Sequence, residues 1–130
     1  MKRFISRILS VLILLSFVSC GEAPKQSITY ERISAEEAKA IMDRESGYII
    51  IDARTQSEYD EGHIPGAILI PEYEIANKAD ELPKDKNQLI LVYCRSGRRS
   101  KIAAQALVEL GYTNVKEFGG IIDWKYEIEQ

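Results

Sequence analysis

Histidine occurs once in these 130 residues, tryptophan once and cysteine twice. A set that small does not make a closed metal site, which gathers several such ligands, and no metal is expected. Excess positive charge is missing as well: 17 Lys and Arg stand against 20 Asp and Glu, a formal charge of −3. That balance lacks the broad basic face that nucleic acid requires. No internal repeat or low-complexity tract is present. The apolar stretch Ile8–Val18 falls short of the ~20 residues of a comfortable membrane span. What these absences leave is one globular domain, long enough to bury a core.

The apolar stretch has a different use. Lys2, Arg3 and Arg7 precede it and the small pair Ser19–Cys20 closes it, which is the pattern of an export signal over residues 1–19. "FVSC", Phe17–Cys20, resembles the lipobox of bacterial lipoproteins, with Phe17 where that family usually has Leu. The resemblance implies cleavage before Cys20, lipidation of its thiol and amino group, and an exported protein anchored at the bacterial cell envelope, periplasmic or on its outer face. Residues 20–27 would then be the lipidated cysteine and a flexible tether, "GEAPKQS". Cys94 would be left without a partner in an oxidising compartment, the mark of a reactive thiol. A Cys20–Cys94 disulfide is the competing arrangement.

Beyond the tether, Ser34 and Glu37 have capping-box spacing ahead of a helix that stops near Gly47. Thr55 and Glu58 repeat it ahead of a short helix ending at Gly62. "YIIID" (48–52), "AILI" (67–70), "LILVY" (89–93) and "NVKEF" (114–118) read as strands. A polar segment with helical character runs to Leu82. A helix after Cys94 carries Ile102, Ala103, Ala106, Leu107 and Leu110 on its apolar face, and "GGIIDWKYEIEQ" reads as a terminal helix. Strands apolar on both faces and alternating with helices predict an α/β fold, an open and mostly parallel sheet covered on both sides. Ligands of such sheets bind beyond the carboxyl ends of the strands, where Asp52 and Cys94 fall.

"YCRSGRRS", Tyr93–Ser100, joins strand to helix. Amides of a helix's first turn and its dipole favour an anion there, and a loop that curls can present successive amides to one atom. Gly97 permits positive φ, while Arg95, Arg98 and Arg99 add fixed charge. Three arginines at a helix start oppose the dipole, so a bound anion is the economical explanation. Cys94 as a buried hydrophobe is the alternative. Both the arginines and the amides favour the thiolate, the nucleophilic form.

The loop resembles that of single-domain rhodaneses, the thiosulfate and persulfide sulfurtransferases. "IDARTQSEYDEGHIPGAILIP" (51–71) is similar to that family's Asp-x-Arg and Gly-His-Ile-Pro-Gly-Ala segment, and "EFGGIIDW" (117–124) to its closing Gly-Gly and tryptophan. The resemblance implies a rhodanese-like domain over 28–130 with a five-stranded sheet. Cys94 would carry the sulfur, the amides from Arg95 through Ser96, Gly97 and Arg98 to Arg99 would cradle the outer sulfur, and Arg99 assisted by Arg98 would face a small anionic donor. A thiol or cyanide would be the acceptor, and no metal or organic cofactor would be needed. Related phosphatases and arsenate reductases have five residues between cysteine and arginine; the four between Cys94 and Arg99 suit one sulfur atom better. Where such domains serve only as binding modules the cysteine is often missing, and a thiol redox protein using the same loop is a third reading.

His63 is the lone candidate for a Cys–His pair, but its turn-rich setting favours a hydrogen-bonding role within the loop. Asp52 and Arg54 either touch the substrate region or pin the strand end as a charge pair. Trp124 and Tyr126 read as core packing, and "EYDEG" as a solvated helix face.

Overall fold

The computed structural model describes residues 29–130 together with Gly21; the expected signal segment, Cys20 and the rest of the tether to Ile28 lie outside the described residues. Five strands form one sheet: β1 (Glu31–Arg32), β2 (Ile49–Asp52), β3 (Ile68–Leu69), β4 (Ile90–Cys94) and β5 (Val115–Gly120). They lie in the order β1-β5-β4-β2-β3, and every neighbouring pair is parallel. All five residues of β4 are buried, as the unbroken apolar run requires of a central strand.

Alternation divides the core in two. Ile51, Ile90, Val92 and Cys94 pack with Ala103, Ala104 and Leu107 of α3 (Arg98–Glu109), and with Ile75 and Leu82 in and after a 3₁₀ segment, Glu72–Glu81, kinked at Lys78. Ile50, Leu91, Tyr93 and Phe118 pack with Ala38 and Ile41 of α1 (Ala35–Arg44) on the other face. The short α2 (Gln56–Glu61) buries no residue and sits after β2. Register sets the working edge: Asp52 pairs with Tyr93, and Cys94 with Gly120 after an irregularity between Val92 and Cys94.

The sheet has the five strands expected, four of them at the segments read as strands, and other expectations need correction. The fifth strand is β1, two exposed residues too few and too polar to signal themselves. The terminal helix is absent: a 3₁₀ turn, Ile121–Asp123, starts at Gly120 without a side-chain cap. The tail instead pairs antiparallel with the His63 turn, where Glu129 and His63 exchange backbone hydrogen bonds of 2.8 and 2.9 Å. Tyr126 is exposed and Trp124 half-buried against Phe118, so only the latter packs on the core. On α3 the buried stripe is Ser100, Ala103, Ala104 and Leu107, at spacings of three and four residues, and Ile102 is 47% exposed. Ala103 and Leu107 are buried as the apolar face predicts, and Ala106 and Leu110 pack partly buried against the same core, so Ile102 alone departs from that face while Ser100 and Ala104 join it.

Candidate active site

The site is built from the end of β4, the loop that follows and the first turn of α3. Gly97 caps α3 from the left-handed region, at φ 106°, where a side chain would be strained. That turn aims the Gly97 amide at Cys94 Sγ, 3.0 Å away. Cys94 has no disulfide partner among the described residues and is 1% exposed. Arg95, Ser96 and Arg98 are exposed around it, whereas Gly97 is buried. Loop and sheet touch through backbone: a Cβ on Gly120 would lie 1.9 Å from the Arg95 carbonyl oxygen. The second glycine of the Gly-Gly pair is therefore what lets the loop seat itself.

Two carboxylates of the site escaped the sequence, as did Ser100. Glu117 lies in β5 and is 1% exposed. Its Oε1 accepts from Ser100 Oγ at 2.7 Å and from the Gly119 amide at 2.8 Å, and Arg32 Nε donates to Oε2 at 3.2 Å. Ser100 Oγ also sits 3.3 Å from Cys94 Sγ, so sulfur, hydroxyl and carboxylate form one buried chain. Alternation along "NVKEF" puts Glu117 on the face of Val115, the one signal that could have found it. Glu58 is the second. The Glu58 amide does donate to Thr55, at 3.4 Å. Its carboxylate instead takes Arg99 Nη2 at 2.9 and 3.1 Å, so it neither completes the capping box nor belongs to a purely solvated face. Arg99, expected to face the donor, is held by this half-buried carboxylate.

Asp52 and Arg54 form the pinning pair. Arg54 Nε and Nη2 donate to the Asp52 carboxylate over 2.7–3.1 Å, and Nη2 also reaches the Gly62 carbonyl at 2.7 Å. Burial disfavours the Arg54 cation, but Asp52's hydrogen bonds and charge hold its pKa above the ordinary value. Tyr93 donates to Asp52 at 2.7 Å and accepts the Ile64 amide at 3.0 Å. Burial, then the Asp52 charge, pushes this phenol far above its usual range, so it stays a donor. His63 stacks on Tyr59 with ring centroids 3.7 Å apart. Its Nδ1 meets the Tyr59 carbonyl at 2.9 Å and its Nε2 lies 3.3 Å from Glu129, so both ring nitrogens serve the turn and the tail. Among the described residues no three His, Cys, Asp or Glu side chains converge to hold a metal ion.

A groove of about 460 Å³ lies elsewhere, between Met42, Tyr48, Ile64 and Trp124. Lys39, Asp43 and Glu127 also line it, and Cys94 is not part of its wall.

Comparison with known proteins identifies the family. Residues 34–127 match the Rhodanese-like domain family. Thiosulfate sulfurtransferase PspE of Escherichia coli (strain K12) is 41% identical over 73 residues, covering 56% of this chain and 70% of PspE. The putative sulfur carrier protein YrkF of Bacillus subtilis (strain 168) is 37% identical over 98 residues, 75% of this chain, which spans about half (52%) of that relative's length. A solved rhodanese with anions from E. coli superposes with a TM-score of 0.60 at 36% identity, over 64% of this chain and 98% of that one. With the family model matched over residues 34–127 and the parallel sheet in place, the chain belongs to the rhodanese family and is a rhodanese-type sulfurtransferase.

Proposed function

We propose that the chain moves a sulfane sulfur from thiosulfate or a small persulfide, by way of a Cys94 persulfide, to a thiol in the cell or to cyanide in the test tube. What carries the reading is the seat of Cys94, at a strand end beneath a glycine-turned helix start whose amide donates to Sγ at 3.0 Å. With thiosulfate, the Cys94 thiolate attacks the outer sulfur; the new S–S bond forms as the S–S bond of the donor breaks, and sulfite leaves with the electron pair. An acceptor thiolate or cyanide then attacks the outer sulfur of Cys94, and the Cys94 thiolate returns. This is ping-pong covalent catalysis. The loop amides and helix start stabilise the outer sulfur's charge, and Arg99 with Arg98 attracts the anionic donor.

The same reading places the domain on a lipid at Cys20, exported to the bacterial cell envelope, with residues 20–27 as tether. The n-region, apolar stretch and "FVSC" support it.

Intact-mass spectrometry tests the carrier. The wild type is expected to gain one sulfur after thiosulfate and to lose it to cyanide or a thiol, and Cys94→Ser to gain none. Full activity in that variant overturns the mechanism, and a wild type that takes no sulfur favours a binding module. Membrane fractionation tests the anchor, which Cys20→Ala is expected to release.

A further inference from the structure

The sulfur-transfer reading leaves unused a buried acid that lies two hydrogen bonds from Cys94. Ser100 Oγ has a single proton and three oxygen acceptors around it: Glu117 Oε1 at 2.7 Å, the Gly97 carbonyl at 3.1 Å and the Gly119 carbonyl at 3.3 Å. The shortest contact and the only carboxylate is Glu117, so the proton points there. The remaining neighbour, Cys94 Sγ at 3.3 Å, then donates its S–H into the serine oxygen. Glu117 is fully buried yet fully satisfied, and its Arg32 partner is 63% exposed, which connects the far end of the chain to solvent.

We propose that Glu117 is a positioning residue that takes up the Cys94 proton through Ser100. The hydrogen-bonded chain has two ends and two settings. In one, the thiol donates to Ser100 and Ser100 to the Glu117 carboxylate. In the other, the proton of sulfur has passed to the serine oxygen while the serine proton has passed to Glu117. The carboxylic acid now donates to Ser100, and Ser100 donates to a thiolate. One negative charge moves from carboxylate to sulfur and none is created, so the nucleophile forms without a free charge in a buried site. Persulfide formation then proceeds with loss of sulfite, and the proton held by Glu117 leaves past Arg32 or returns to sulfur when the acceptor discharges Cys94.

The charged groups around the chain fit this role. From β1, Arg32 meets Glu117; from the helix start, Arg99 is held by Glu58; from β2, Asp52 is held by Arg54 and Tyr93. Arg95 and Arg98 are exposed, and Lys101 is half-buried on α3.

This rests on Cys94 as sulfur carrier, and the test separates the two ideas. Single-turnover sulfite release from thiosulfate and iodoacetamide alkylation of Cys94 are followed against pH in wild type, Glu117→Gln and Ser100→Ala. Glutamine keeps the shape but cannot hold the proton. Both variants are expected to slow both reactions at neutral pH by roughly 100-fold, the low end of general-base effects, and to recover toward wild type as hydroxide takes over at alkaline pH. A pH-independent loss, an unchanged profile or faster alkylation in Glu117→Gln overturns the relay, the last by showing that the carboxylate merely repels the thiolate. Ser100→Ala gives the answer if Glu117→Gln fails to fold. If alkylation follows the expected pattern while wild type releases no sulfite, the carrier reading fails and the relay stands.

Discussion

Two buried carboxylates stand near the carboxyl edge of the same sheet, and they are held in opposite ways. Asp52 has Arg54's guanidinium, Arg54's amide and the Tyr93 phenol around it, with both members of the ion pair almost wholly buried. Every donor it meets keeps its proton, and the pKa directions of Arg54 and Tyr93 make that more so. Glu117 has an exposed arginine on one side and a serine on the other, with the sulfur one hydrogen bond further on. The first network is closed and locks a strand end to the Gly62 turn. The second opens to solvent at Arg32 and ends at the buried Cys94 Sγ. Burial of charge alone does not mark a functional site; what matters is whether the charge has somewhere to send a proton.

The sharpest break to the open side needs no polar change. Gly120→Ala would place a methyl 1.9 Å from the Arg95 carbonyl oxygen and 2.3 Å from its carbon, so loop or strand must shift. A displacement of that size at a reacting atom costs on the order of 100-fold. Sulfur transfer is expected to fall by that much while the closed network keeps the sheet folded, which activity and circular dichroism together check.

On the closed side the expected loss is stability. Asp52→Ala leaves Arg54 buried without its partner, a change worth about 3–5 kcal/mol. The melting temperature should drop sharply while activity per folded molecule changes little. The network also sets an alkaline limit. The folded Tyr93 pKa is raised, so the unfolded chain gives up that proton first. The contribution is therefore complete below about pH 10 and lost as the pH climbs beyond it. Tyr93→Phe, which gives up the 2.7 Å bond to Asp52, should be less stable throughout but flatter in that range. A wild-type unfolding curve with no alkaline slope contradicts this.

What the sequence made legible was local. The Ser34–Glu37 capping box formed in both directions, at 3.0 Å each. The strands at 48–52 and 89–93 and the glycine-turned start of α3 follow from apolar runs and a residue that tolerates positive φ. What stayed hidden was pairing across the chain. Glu58 has capping-box spacing from Thr55, but its carboxylate meets a guanidinium 41 positions away, which no local pattern encodes. Arg32 and Glu117 are 85 apart, and the two-residue β1 that brings them together has no periodicity to read. The tail failed as a helix for the same reason: its backbone partner, His63, lies far upstream.

The smallest effect tests how the two networks meet. Glu58 Oε2 lies 2.9 Å from Arg99 on the open side and 3.9 Å from Arg54 on the closed side, so one half-buried carboxylate touches both. An anionic donor that approaches Arg99 competes with Glu58 for the guanidinium. Partly exposed pairs of this kind are worth about 1 kcal/mol or less, equivalent to a few-fold in binding. Glu58→Gln should therefore lower KM for thiosulfate a few-fold, leave kcat nearly unchanged and have no effect on transfer from an uncharged organic persulfide donor. Arg99→Ala should raise KM for thiosulfate, and in that background Glu58→Gln should change nothing further. If Glu58→Gln instead raises KM in the wild-type background, the carboxylate orients Arg99 rather than competing for it, and the two networks act as one.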